Sequence, residues 1–162
     1  MFDYNSVSTP MESILKLSKF EDGQKEYPSI FKILVGKLRY LTCTRPDILY
    51  AVGVVSCLME APTTTHMKVT KRILCYLKSM LDYGLYYYSS NDFKLFGFCD
   101  SDFTGDINDI NSTNGFIFFM GDCAFSWRSK KQPIVTLSTC ESECVAATSS
   151  IFHAIWLRRL LK

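Results

Sequence analysis

The spacing of apolar residues changes near residue 90, and this change constrains the fold more than any other feature. Apolar side chains recur at helical spacing in three segments, about 27–43, 46–58 and 65–80. Pro46 fits the first position of the second helix, where its missing N–H costs nothing. Residues 85–88 have the composition of a short strand. The first half of the chain is therefore predicted to be helical.

Beyond residue 90 the pattern is that of a sheet. Strands are predicted at residues 93–100, 115–120 and 123–129, and residues 121–122 form a two-residue hairpin turn, Gly-Asp. The first strand is apolar on both faces, which is typical of a strand with a neighbour on each side. The three strands should form an antiparallel meander, and the fold class is α+β.

A final helix is predicted over residues 138–162, covering one face of that sheet. Ser138 with Glu141 three residues later is a capping box. Glu143 lies on a helical row of small and apolar residues, namely Cys140, Ala147, Ile151 and Ala154. That row is predicted to pack on the sheet. A carboxylate within a packing row is unusual, so its presence calls for a functional explanation.

Length and composition indicate one domain, or one small domain with an appendage. The seven cysteines are odd in number and form no C-x-x-C motif, so we expect reduced thiols within the core. The N-terminus lacks the basic and apolar regions of a signal peptide, and no apolar run is long enough to span a membrane. An intracellular protein, cytoplasmic or nuclear, is expected.

The charges are unevenly distributed, although the net charge is only +2. Residues 30–90 hold 8 Lys and Arg against 3 Asp and Glu, and residues 123–162 hold 6 against 2. Residues 91–122 hold 1 Lys against 6 Asp. An acidic site flanked by basic surface suits metal-dependent work on a polyanion, while solvation of loops explains the same pattern.

Asp100 and Glu143 are the candidate catalytic and metal-binding residues. Asp100 ends the first strand, and two-metal phosphodiester hydrolysis needs several carboxylates close together. A solvated strand end is the alternative for Asp100, and an ion pair with Lys130 or Lys131 is the alternative for Glu143. Nearby carboxylates are alternative metal ligands, although turn formation explains Asp102 and Asp106 and helix capping explains Glu141.

Basic side chains form two candidate nucleic-acid contacts. One is on the helix at residues 65–80 and the other follows the third strand, and they comprise Lys71, Arg72, Lys78, Arg128, Lys130 and Lys131. These side chains could follow phosphates, or they could only solvate a helix face and protect an exposed hairpin edge.

Ordered motifs along the chain resemble copia-type retrotransposon Pol polyproteins. The start of their RNase H domain is similar to residues 97–106, 112–115, 126–133, 137–143 and 155–158. The segment that joins their reverse transcriptase to RNase H is similar to residues 8–11, 36–41, 44–48 and 71–78. The resemblance covers nearly the whole chain.

This resemblance implies a division into a helical connection segment, residues 1–90, and the N-terminal part of an RNase H-like domain, residues 91–162. It implies that Asp100 and Glu143 are the first catalytic Asp and the catalytic Glu, with Mg²⁺ as cofactor. Two later catalytic Asp residues and the remaining strands of the family's sheet are absent from the sequence. A truncated RNase H-like fold with weak or absent Mg²⁺ binding is therefore expected.

Three functions follow as expectations. The first is RNase H ancestry, meaning hydrolysis of RNA in RNA–DNA hybrids, with negligible activity for this chain because its catalytic set is incomplete. The second is a non-enzymatic module that binds RNA–DNA hybrids or other nucleic acid. The third is an interaction fragment that self-associates through an exposed edge of the sheet. No membrane partner is expected.

Overall fold

The computed structural model describes residues 5, 7–12, 17–20, 23–89 and 94–162. Within this part of the chain there are four helices and a three-stranded antiparallel sheet, which confirms the α+β fold class. The chain divides into two compact units, Met1–Leu85 and Tyr86–Lys162. No helix among the described residues is both long and apolar enough to cross a membrane.

The first unit is helical. It contains α1 (Pro28–Leu41), a single 3₁₀ turn (Pro46–Ile48), α2 (Leu49–Ser56) and α3 (Thr64–Ser79). The three helices bury their apolar stripes against one another, and the best-buried side chains are Phe31, Val35, Leu38, Val52, Val55 and Ile73. Helical spacing predicted each helix to within three residues at either end.

The turn between α1 and α2 is fixed by charge. Arg45 forms an ion pair with Asp47 at 2.7 Å and also donates to the carbonyl of Met80 at 3.3 Å. The hydroxyl of Tyr76 donates to the same Asp47 carboxylate at 3.0 Å. Partial burial alone would raise the pKa of Asp47, but hydrogen bonds from Arg45 and Tyr76 outweigh it and lower that pKa. The motif that opens α2 therefore also ties it to the end of α3.

The N-terminus of α3 is capped by a buried histidine. The N–H of Thr63 donates to Nδ1 of His66 at 3.1 Å, and the N–H of His66 donates to the Thr63 hydroxyl at 3.5 Å. His66 Nε2 lies 3.1 Å from the carbonyl oxygen of Ser18. Because Nδ1 accepts a hydrogen bond, Nε2 is the ring nitrogen that can donate one to the Ser18 carbonyl oxygen. His66 thus joins the preceding segment to α3.

The second unit is a meander covered by one helix. Strands β1 (Leu95–Asp102), β2 (Thr113–Met120) and β3 (Cys123–Lys131) lie in that order, and α4 (Thr139–Leu160) follows. Gly121 has φ 57° while Asp122 does not enter the left-handed region, which is the pattern of a type II′ hairpin. The sheet's core face consists of Phe116 and Phe118, packed against Leu157 of α4.

Two expectations from the sequence are wrong. Residues 85–88 form no strand: no ladder among the described residues includes them, and the rings of Tyr86, Tyr87 and Tyr88 are exposed. β1 lies at the edge of the described sheet, as the predicted three-stranded meander requires, and most of it is exposed although its apolar faces are typical of a central strand. Residue 93, its predicted start, lies outside the described residues.

The second wrong expectation concerns the cysteines. All seven thiols are free and none is fully buried, since Cys43, Cys57, Cys99, Cys140 and Cys144 are exposed and the other two are half-buried. Apolar neighbours in the sequence do not place a residue in the core when the element they lie on has an open face.

Candidate functional site

Asp100 lies on the face of β1 that α4 does not cover. In the register of β1 and β2, Gly97 is opposite Phe118 and Cys99 is opposite Phe116, so these residues face α4. Successive side chains of a strand point to opposite faces. Phe98 and Asp100 therefore point away from α4, and Asp100 is exposed.

Glu143 lies on α4, but the row of α4 that packs against the sheet is not the predicted row that contains Glu143. The buried residues of α4 are Ser142, Ala146 and Leu157, whereas Glu143 is exposed. One residue turns a helix by about 100°, so Glu143 stands at the margin of the face defined by Ser142. The carboxylate needs no buried partner, because the packed row is displaced by one position from the predicted one.

The capping of α4 differs from a standard capping box in one contact. The Ser138 hydroxyl accepts from the N–H of Glu141 at 3.2 Å, as expected for a capping box. The Glu141 carboxylate accepts from the N–H of Leu137 at 2.7 Å, one residue before the cap. Glu141 is therefore engaged in capping, as the sequence predicted.

The residues next to Asp100 and Glu143 meet in a buried polar network. Ser101 bonds Ser142 through their hydroxyls. The side chain of Gln132, 2% exposed, donates from Nε2 to Ser101 Oγ at 3.2 Å, to the carbonyl of Ser142 at 3.0 Å, and to Asn114 Oδ1. One amide thus joins the end of β1, the start of β2 and the first turn of α4.

A second layer of hydroxyls surrounds this network. The Gln132 N–H donates to the Ser112 carbonyl at 2.8 Å, and the Ser112 hydroxyl lies 3.2 Å from that of Thr136. Gln132, Ser112 and Thr136 are all buried. Sequence reasoning missed them, because isolated Ser, Thr and Gln residues in loops carry no periodic signal.

The described carboxylates do not fit a two-metal centre. Among residues 5, 7–12, 17–20, 23–89 and 94–162, no group of three or more His, Cys, Asp or Glu side chains is arranged to hold a metal ion. Two Mg²⁺ ions need several carboxylates in one place. Asp100 points away from the face that carries α4, and Asp102, on the same face of β1 as Asp100, has its carboxylate against Gly105 in the following turn.

Two of the six predicted nucleic-acid-binding side chains are held in ion pairs. Lys131 binds the carboxylates of Asp106 and of Asp109, the latter at 2.8 Å. Arg72 pairs with Glu12 at 2.9 Å. Lys131 and Arg72, which were predicted to bind phosphates, are therefore paired with carboxylates of this chain.

The acidic loop between β1 and β2 is held by Lys131. Burial alone would raise the pKa of Asp106, but hydrogen bonds from Lys131 and Asn108 outweigh it and hold that pKa well below its usual range. The acidic segment at 101–112 is therefore partly neutralised by the end of β3.

Arg128 and Lys130 line a groove between β3 and α4, and both are exposed. They face α4, because they are opposite Phe116 and Asn114 in the register of β2 and β3. The groove has a volume of about 510 Å³ and its far wall is formed by α4 side chains that include Thr148, Ser149 and Phe152. We call this the β3–α4 groove.

A histidine of α4, His153, packs against the α4-facing side of the sheet. The ring of His153 packs at a tilt against that of Phe116, with ring centroids 4.8 Å apart, and its Nε2 lies 2.9 Å from the Ser126 hydroxyl. Burial lowers the pKa of His153, and the positive charge of Arg128 lowers it further. His153 therefore packs against the rings of the sheet and has a lowered pKa.

Comparison with known proteins shows the family. The Pol polyprotein of transposon RE1 from Arabidopsis thaliana is 37% identical over 161 residues, which is 99% of this chain and 11% of that polyprotein. The Pol polyprotein of transposon TNT 1-94 from Nicotiana tabacum is 40% identical over 163 residues, 96% of this chain and 12% of its own length. The chain belongs to the retrovirus-related Pol polyproteins of copia-type transposons.

Relatives of other names also match. Secreted RxLR effector protein 161 from Plasmopara viticola is 42% identical over 124 residues, covering 76% of this chain and 87% of that protein. No protein-family model matches the chain, and no solved structure matches it. The chain spans about a ninth of the length of the Pol polyproteins that it matches.

Proposed function

We propose that this chain is the part of a Pol polyprotein that joins reverse transcriptase to RNase H and begins the RNase H-like domain. Family membership is the observation that carries the proposal. The polar network supports it, because Gln132 fixes the strand end that bears Asp100 to the helix start that bears Glu143. Asp100 and Glu143 would be the two catalytic carboxylates that this region supplies.

The chain by itself should not cleave RNA–DNA hybrids measurably. Both carboxylates are exposed, and the described residues bring no third carboxylate to them. A divalent ion would have water for most of its ligands there, which Mg²⁺ tolerates but which does not place two ions for hydrolysis.

A cleavage assay tests this proposal. The purified chain is incubated with Mg²⁺ and a labelled RNA–DNA hybrid, beside Asp100→Asn and, as a matched control, Asp82→Asn in the first unit. We expect the same background for all three. Mg²⁺-dependent cleavage that Asp100→Asn abolishes and Asp82→Asn leaves intact would contradict the claim of inactivity.

A second candidate function is nucleic-acid binding without catalysis, and the β3–α4 groove favours it. Arg128 and Lys130 are exposed on one wall, and Phe152, 70% exposed, lies on the other. Basic side chains beside an exposed ring are the usual means of holding a nucleic-acid strand without reading its sequence. The backbone would lie along β3 and a base would stack on Phe152.

Salt dependence tests this binding. Replacing both Arg128 and Lys130 by Gln should lower the slope of log affinity against log salt by about two for hybrid binding. The matched control is Lys32→Gln with Lys37→Gln, which removes the same charge from α1. Equal losses in both double variants, or no binding of the parent chain at low salt, would contradict the groove as the binding site.

A further inference from the structure

The β1–β2 loop, residues 103–112, binds the last lysine of β3. Asp106 and Asp109 each place a carboxylate oxygen against Nζ of Lys131, the second at 2.8 Å. The side chain of Lys131 is 25% exposed and that of Asp109 is 43% exposed. Ion pairs that water can reach are weak, because solvent screens both charges. Another anion can therefore replace the loop carboxylates at Lys131.

Lys131 belongs to the same basic end of β3 as Arg128 and Lys130. All three residues line the β3–α4 groove. Arg128 and Lys130 are exposed, whereas the ammonium group of Lys131 is bound by the acidic loop. Carboxylates and phosphates are both anions whose oxygens accept hydrogen bonds from an ammonium group. The loop therefore occupies Lys131 in the way that a phosphate of a bound strand would occupy it.

The same loop has a strained backbone. Among the residues that the structure describes, Thr104 and Ile110 are the two other than glycine with positive φ, at 51° and 57°. Both are β-branched, and the left-handed region is unfavourable for such residues. Ile110 is 57% exposed, so packing of its side chain offsets little of this strain.

Polar contacts hold the loop in this conformation. The N–H of Ile110 donates to the carbonyl of Asp106 at 2.9 Å, and the N–H of Asn108 donates to the Asp106 carboxylate at 2.8 Å. The ion pairs of Lys131 join this turn to the end of β3. A strained segment persists only while its surroundings hold it. Loss of Lys131 to another anion should therefore let the loop relax.

We propose that the β1–β2 loop is autoinhibitory: it occupies Lys131, and a nucleic-acid phosphate displaces the loop to reach this lysine. This regulation rests on the second candidate function, nucleic-acid binding at the β3–α4 groove. Binding of a strand then requires the open loop, so the free energy of the closed loop is subtracted from the affinity. Any change that weakens the closed loop tightens binding, and any change that stabilises it weakens binding.

A double-mutant cycle on the binding of a labelled RNA–DNA hybrid tests the autoinhibition. Asp109→Asn removes one carboxylate from Lys131 and should tighten binding about fivefold. It should also steepen the slope of log affinity against log salt by about one, because Lys131 joins the phosphate contacts. Asp122→Asn is the matched control, since it removes the same charge at the hairpin turn before β3. In a Lys131→Gln background, Asp109→Asn should have no more effect than this control.

Stabilising the closed loop should have the opposite effect. Asn tolerates positive φ better than Ile does, so Ile110→Asn should relieve the strain and weaken hybrid binding about threefold. Ile107→Asn is the matched control, because it makes the same exchange at a 45% exposed residue of the same loop whose φ is not positive. This control should leave the affinity unchanged.

The outcomes separate this regulation from the groove function itself. Equal tightening by Asp109→Asn and Asp122→Asn, or full tightening in the Lys131→Gln background, would overturn the autoinhibition and leave groove binding intact. No binding at low salt by either the parent chain or Asp109→Asn would overturn both. Binding by Asp109→Asn that exceeds the parent's and depends on Lys131 would support both. Circular dichroism checks that each variant is folded.

Discussion

At the scale of single residues, Gln132 has the largest structural role relative to its weak sequence signal. Its side chain contacts three elements of the second unit, and it is almost completely buried. Its Oε1 is buried as well and accepts no hydrogen bond from the described residues. A buried amide is costly unless it is well bonded, so the position tolerates little change.

Gln132→Ala should destabilise the second unit by about 2 kcal/mol, because it leaves Ser101, Asn114 and Ser142 without their shared donor. Urea unfolding followed by tryptophan fluorescence measures the change. Arg158→Ala, which removes a long polar side chain from an exposed position of the same unit, should change stability by less than about 0.5 kcal/mol. Equal effects of the two substitutions would argue against the network.

Lys131 should make the second unit sensitive to acid. The folded state lowers the pKa of Asp106 from its ordinary value of 3.8, so the ion pair stabilises fully above that value. This stabilisation is lost as the pH falls below 3.8 towards the folded-state pKa, because the carboxylate then takes up a proton. Lys131→Met removes the partner.

The Lys131→Met variant should lose about 1 kcal/mol or less at neutral pH, and its unfolding midpoint should fall less steeply on acidification than the parent's. Lys130→Met is the control, since Lys130 is exposed and has no ion pair in the described part of the chain. An acid dependence in Lys131→Met as steep as the parent's would count against the pair.

At the scale of elements, the start of α3 shows what the sequence does not reveal about a helix cap. The start of α3 depends on His66, whose buried ring accepts from one backbone group and donates to another. The sequence shows Thr63 as a suitable cap, but a histidine three residues later is not the usual Glu or Gln of a capping box. The tertiary structure explains the histidine at this position, because its ring also reaches the Ser18 carbonyl.

His66→Ala should cost about 2–4 kcal/mol, since it removes two hydrogen bonds and leaves a buried cavity. Thr63→Ala should cost about 1 kcal/mol through the loss of one cap contact. Thr65→Ala, one residue before the histidine within α3, is the control and should be near neutral. Far-ultraviolet circular dichroism during urea unfolding gives the three values, and a near-neutral His66→Ala would contradict the capping role.

At the scale of the whole molecule, the two units have cores of different size. The first unit's buried cluster draws on all three helices, whereas the described cluster of the second unit consists of Phe116, Phe118 and Leu157. Apolar burial is the main favourable term in folding. The second unit also leaves one face of its sheet open, so it should be the less stable of the two.

Unfolding should therefore occur in two steps. Both tryptophans, Trp127 and Trp156, lie in the second unit, so their fluorescence reports that unit alone. Circular dichroism reports the helices of both units. The fluorescence midpoint should come at a lower urea concentration than the circular dichroism midpoint, and coincident midpoints would show that the units unfold together.

The sequence alone determined the order and type of the elements, because apolar spacing depends only on which residues recur along the chain. It also determined the hairpin at Gly121 and the family, whose motifs are local. Which face of each element is covered was decided by tertiary structure. The exposure of the cysteines and the exposed position of Glu143 both follow from that. The Gln132 network needs residues brought together from four separate segments, and no local pattern carries that information.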